Sequence, residues 1–229
     1  MGGGPRERQP VRRPHVTAPT RVVDLLLAMH GVWVDHLEAF HPDGTPMADD
    51  PHGGAPGPFP YDNLVYCDID AVTGTYRQTN VTLRGRPLKH RSFTAQLGGD
   101  GILRFDRLGP DDPGHVGVSG GPGVLWFTSD TTTHHGLARF SEPDHIRLLG
   151  AGQRTRVTTL YRGGRLVRTM TAAGSRVADD PTHRVAWDPR GADGSVHEAK
   201  EDTLVFVEVP QAGTAGQAAT GSGRDSVAR

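Results

Sequence analysis

The chain has 229 residues, with Lys+Arg 25 against Asp+Glu 26, a formal net charge of −1, 35% hydrophobic residues and a mean hydropathy of −0.47. Arginine far outnumbers lysine, and no basic face is interleaved with aromatics, which argues against a nucleic-acid partner. The single cysteine, Cys67, excludes an intramolecular disulfide and a cysteine-based zinc site, and no apolar run approaches the roughly 18–20 residues that a membrane helix needs.

Residues 1–19 and roughly 210–229 are rich in Gly, Ala, Pro and Arg and show no periodicity, so both read as disordered tails. Residues 20–209 remain, enough for one core and too few for two. Arg6, Arg8, Arg12 and Arg13 form a solvated basic tail, and no apolar stretch follows them as a signal peptide requires. Met1-Gly2 opens a myristoylation-like string, but Arg6 stands where Ser or Thr is needed. A soluble, cytoplasmic protein is the expectation.

Arg21 to His30 is the best helix. Thr20 can cap it, Leu25, Leu26 and Met29 form one stripe, and Gly31 suits its end. It is too short to stand alone and must pack on something. Trp33 to Phe40 then reads as a strand ending in the turn signal His41-Pro42-Asp43-Gly44, and the Pro-, Gly- and Asp-rich residues 45–60 read as a long loop. Strands follow at Tyr61–Ile69, Thr75–Leu83, Leu88–Leu97 and Ile102–Asp106, with a second Gly/Pro/Asp loop over 109–123. Further strands are expected at Val124–Ser129, His134–Phe140, His145–Leu149, Thr155–Tyr161, Leu166–Ala172 and, after a polar stretch at 179–201, Thr203–Val209. Nine to eleven short strands joined mostly by tight turns favour an all-β, up-and-down antiparallel barrel over a sandwich, with the helix as a plug and 45–60 and 109–123 at the mouth.

Gly31-Val32-Trp33, entering a strand straight after a plugging helix, resembles the start of a lipocalin-type (calycin) barrel. The resemblance implies that Trp33 lies across the closed end with an arginine from a late strand stacked on it. Arg168 is the first candidate for that arginine and Arg176 the second, and such a guanidinium–indole pair contributes about 0.5–2 kcal/mol. His30-Gly31-Val32-Trp33, Asp43-Gly44, Arg77-Gln78-Thr79-Asn80 and the hairpin Tyr161 to Thr169 also resemble an uncharacterised family of bacterial lipocalin-like proteins, distantly related to phycobiliprotein chromophore lyases. That likeness covers about residues 25–177. It brings no catalytic residue with it, and Cys67 matches no motif.

Gln78 and Asn80 share one face of their strand with Tyr76 and Thr82, opposite Thr79, Val81 and Leu83. Either the amides point to water, or they enter the lumen as the few orienting groups that an apolar pocket needs. The chain has 12 histidines, several on expected strands or their ends (His36, His90, His134, His145), and imidazole is the side chain suited to proton transfer near neutrality. His90 and His134 are the candidates for catalytic lumen positions. Adjacent His134 and His135 point to opposite faces, and neither H-x-H nor H-E-x-x-H spacing occurs, so neither a metal nor haem is expected. Tyr66 and Trp126 sit mid-strand as candidate flat walls for a ligand. Arg156 and Tyr161 are further candidate contacts, whose relative facing depends on whether a bulge separates them. No nucleophile elbow, P-loop or dinucleotide fingerprint occurs, so no standard cofactor is expected.

Two functions stand open. One is a cofactor-independent isomerase or cyclase acting on an apolar polyketide- or terpenoid-type intermediate, where a pocket folds its substrate into a reactive conformer. The other is a carrier or sensor of a hydrophobic ligand or pigment; a chromophore-attachment chaperone is a third. In each case the partner is an apolar small molecule and the protein is a monomer or homodimer. A catalyst would place a titratable group in the lumen, and a carrier would present an apolar one.

Overall fold

The computed structural model describes residues 18–48, 59–83, 88–107, 114–129, 140–141, 143–187 and 205–207. Helix α1, Val22–Met29, buries Val22, Leu25, Leu26 and Met29 on one side. Two turns of helix are marginal in water, so this packing holds it. Its N-cap is Arg21 rather than Thr20, without a side-chain capping bond; the Arg21 guanidinium reaches Asp24 in the first turn at 2.7 Å. Thr20 contributes through its carbonyl, which accepts from the Ser119 hydroxyl at 2.6 Å.

Gly31 turns the helix into the sheet at φ +120°, with a Cβ there falling 2.3 Å from the Ala178 carbonyl oxygen, so both dihedral and space require glycine. Eleven strands follow: β1 Gly31–Phe40, β2 Tyr61–Asp70, β3 Thr75–Thr82, β4 Lys89–Leu97, β5 Leu103–Phe105, β6 His115–Gly121, β7 Val124–Ser129, β8 Phe140–Ser141, β9 Asp144–Gly150, β10 Gln153–Arg162 and β11 Arg165–Ala178. They pair antiparallel in chain order, with β9 beside β7, β8 added at the end of β10, and β11 returning to β1. Ten strands therefore close into an up-and-down barrel. The remaining strands, β12 Val185–Trp187 and β13 Val205–Val207, form a separate antiparallel ribbon.

Three differences from the sequence reading have physical causes. Part of the expected loop 109–123 is strand β6, whose glycines hide the alternation; Gly117 faces inward where a Cβ would come 2.9 Å from the Phe127 ring. Strand β11 continues to Ala178 rather than stopping at Ala172, through Gly174, where a Cβ would strike the Asp35 carboxylate at 2.3 Å. The polar stretch 179–201 contains β12, which pairs with β13 in the expected region 203–209. Most of the expected strand at His134–Phe140 lies outside the described residues.

The connections sort to the two ends. Beside α1 they are tight, as at Asp70–Gly74, where the Gly74 amide donates to the Asp70 carbonyl at 2.8 Å, and at Gly98–Gly101. At the opposite end begin the connections that include 45–60 and 106–114, so that end is the mouth. Met47 and Phe59, near the two ends of the first of these, are buried there: the Met47 amide donates to the Ala39 carbonyl and both side chains pack with Leu37, Ala39 and Tyr61.

The core has two principal parts. Inside, Leu25, Leu26 and Met29 of α1 pack with Trp33, Leu103 and Leu125 and fill the closed end. Outside, Val32, Leu64, Tyr66 and Val81 of β1–β3, with Leu83 just after β3, pack under Val185 of β12.

Candidate functional site

The lumen is built in layers from the floor upward. At the floor the buried Trp33 indole donates from Nε1 to the Met29 carbonyl at 2.7 Å, which fixes the ring against the helix. The Arg176 and Arg154 guanidinium groups stand over the ring at 4.8 and 4.4 Å from its centroid. Arg176 is the cross-strand partner of Trp33 and also donates to the Ala28 carbonyl. Arg168, the first sequence candidate, is not at this level. It pairs with Leu160, eight positions along β11 from Arg176 and so roughly 26 Å away by strand rise. The barrel is closed by Arg176 and Arg154.

Above the floor Arg154 donates to both Asp35 carboxylate oxygens at 3.0 and 2.8 Å, with each side chain at most 2% exposed. Burial alone would lower the Arg154 pKa, but the Asp35 carboxylate and neighbouring Cys67 offset that and raise it. From the same layer a polar chain climbs β3. The Tyr76 hydroxyl lies 2.9 Å from Gln78 Oε1 and 3.5 Å from Cys67 Sγ, and Gln78 Nε2 donates to Asn80 Oδ1 at 2.9 Å. Burial, reinforced by Cys67, pushes the Tyr76 phenol well above its usual range. That hydroxyl keeps its proton.

The upper lumen has two unlike walls. On one, Phe93, Phe105 and Phe127 meet edge to face, with centroids 6.4 and 5.4 Å apart, and Tyr76 joins them at 6.3 Å from Phe105. On the other, Arg156 pairs with Asp144, which also accepts from the Thr158 hydroxyl at 3.2 Å. Asn63 of β2 faces inward in register with Asp35, and its Oδ1 is buried with no hydrogen-bond partner. Phe93, Phe105 and Asn80 are only half-buried although they face inward, so solvent reaches this space.

The structure divides the sequence candidates. Gln78, Asn80 and Arg156 face the lumen. His90 pairs with Val81 on the outer face of β4, where burial lowers its pKa, and is therefore not a lumen histidine. His134 lies outside the described residues. Tyr66 is buried on the outer face in the cluster under Val185, which pushes its pKa to about 12 through desolvation; it is core, not a ligand wall. Trp126 also faces out, 51% exposed and edge-on to His145 at 5.9 Å. A bulge between Leu160 and Tyr161 breaks the alternation, and Tyr161 pairs with Ser141 of β8 near the mouth.

Sequence reasoning passed over Asp35, Asn63, Asp144, Arg154 and His115. Asp35 was legible, two residues beyond the inward Trp33. His115, in register with Ser129, is among the described residues the histidine whose position faces the lumen. No group of three His, Cys, Asp or Glu side chains suited to a metal occurs among the described residues, and no described helix is long and apolar enough to cross a membrane. A groove of about 490 Å³ lies outside the barrel, between the start of α1, the Gly99–Ile102 turn and Val118; it is wide open and remote from the polar layers.

No family model matches the chain, and no curated protein sequence matches it. Among solved structures, a protein of unknown function from the DUF3598 family of Nostoc punctiforme superposes with a TM-score of 0.51 at 17% identity, over 73% of this chain and 53% of that one. The barrel is lipocalin-like. The present chain spans about half the length of that protein, and at this identity the likeness is one of fold. The S-type phycobiliprotein lyase CPES from Guillardia theta superposes with a TM-score of 0.49 at 9% identity, over 68% of this chain and 92% of that one.

Proposed function

We propose that the lipocalin-like barrel binds a flat hydrophobic small molecule in its upper lumen and holds it unchanged, as a carrier or sensor. The observation that carries this reading is the solvent-reached aromatic wall of Phe93 and Phe105 inside a barrel whose lower half is filled. A concave, mostly apolar site with a few fixed polar groups suits ligand binding. The buried ionised layer does not conflict with it, because Asp35 and Arg154 satisfy each other and are closed off from solvent.

An isomerisation or cyclisation that moves a proton needs a group that exchanges it with the substrate. The Tyr76 phenol is held protonated and His90 is outside, so neither supports that reading. The test is to purify the protein from its own host, denature it and analyse the released small molecules, with native mass spectrometry of the intact complex alongside. A stoichiometric apolar compound released unchanged supports the carrier. A pair of interconvertible isomers, with turnover of one into the other, overturns it in favour of catalysis.

A further inference from the structure

Two side-chain amides on adjacent strands, at inward-facing positions, carry donor and acceptor groups without partners among the described residues. The orientation of the first follows from the chain below it. The Tyr76 hydroxyl has one proton to give and presents it to Gln78 Oε1, so Gln78 Nε2 is the donor toward Asn80, and Asn80 spends its Oδ1 accepting that bond. The Asn80 Nδ2 group is left without a partner among the described residues, on a half-buried side chain at the solvent-reached level. The second amide is Asn63, nine-tenths buried, with Oδ1 unpartnered. In the β2–β3 ladder Asn63 pairs with Thr82 and Val65 with Asn80, so the two asparagines are diagonal neighbours on the inward face. Such positions lie roughly 7–8 Å apart at Cα, close enough for one planar group to meet both side chains.

We propose that this pair recognises a lactam or other cis-amide edge of the ligand, its carbonyl accepting from Asn80 Nδ2 and its N–H donating to Asn63 Oδ1, with the attached ring system lying toward the aromatic wall. The inference rests on the binding role proposed above and adds a chemical class to it. A buried acceptor without a partner costs free energy that a matching donor recovers, whereas an analogue lacking that donor leaves it unmet.

Three probes of nearly equal size separate the possibilities: 2-quinolinone, which has the cis-lactam edge, and 2-methoxyquinoline and N-methyl-2-quinolinone, which lack its N–H. Isothermal titration of the full chain should show 2-quinolinone binding about tenfold more tightly than either analogue, since one unmatched buried hydrogen bond is worth about that factor. In Asn80→Leu and Asn63→Ser the advantage should fall below about twofold. The comparison among probes needs no mutation, so a poorly folding variant does not remove the test. Equal affinity for all three probes in the unaltered protein would overturn the lactam assignment and leave the binding role standing. Binding of none of them would overturn both.

Discussion

At the scale of single residues the most consequential pair is Asp35 with Arg154. Each lies on a strand distant in sequence, and neither side chain is more than 2% exposed. Removing one partner leaves a buried charge, which costs far more than the net worth of the pair. Arg154→Met should therefore lower unfolding stability by about 3–5 kcal/mol in urea melts, and adding Asp35→Asn should restore part of that loss. Tyr66 gives a pH dependence of definite sign. Its folded pKa of about 12 stands above the ordinary value of 10.0, so the folded state favours the neutral phenol. That contribution is complete below pH 10 and is lost as pH rises from 10 to about 12. The urea midpoint should fall across this window, and Tyr66→Phe should flatten the fall. His90 faces outward, so His90→Ala should leave ligand affinity within about twofold, a change of the size expected at surface sites; a larger loss would return that histidine to the site.

At the scale of elements, the junction of α1 with β1 decides whether the barrel closes. The helix lays Met29 where its carbonyl takes the Trp33 indole proton, and Gly31 makes the turn between them. Gly31→Ala would impose a Cβ against the Ala178 carbonyl as well as an unfavourable dihedral. A loss of at least ~2 kcal/mol in thermal or chemical melts is expected, from strain alone before the clash is counted. The tight turns at this end explain why most strands were legible. Gly-rich signals such as Gly98-Gly99-Asp100-Gly101 mark hairpins whatever lies on either side of them. Strand β6 was not legible, because His115–Gly121 carries glycines at positions that the Phe127 ring and Trp126 crowd.

At the scale of the whole molecule, strand β12 covers part of the outer face of β1–β3. Val185 seals the cluster of Val32, Leu64, Tyr66, Val81 and Leu83 that would otherwise face water. Val185→Asp should release this cover while leaving the closed barrel intact. The expected result is faster amide exchange in β12 and stronger binding of an apolar dye, with near-ultraviolet circular dichroism from the Trp33 floor unchanged. Loss of that signal would show instead that the cover is integral to the barrel.

The helix, the Gly31–Trp33 entry and the antiparallel meander follow from the sequence by itself, because each is set by local residues: an apolar stripe, a required glycine, short turns between apolar runs. Which side of each strand faces the lumen does not. In β2 every residue from Tyr61 to Cys67 is buried, since one face meets the lumen and the other meets the ribbon, so the alternation that normally tells inside from outside disappears. This is why Tyr66 reads as a ligand wall and Asn63 passes unnoticed. The charged layer was equally hidden, because Asp35 and Arg154 become neighbours only through β1, β11 and β10 lying side by side. Ring closure alone brings those strands together, and with them the floor on which the proposed binding site rests.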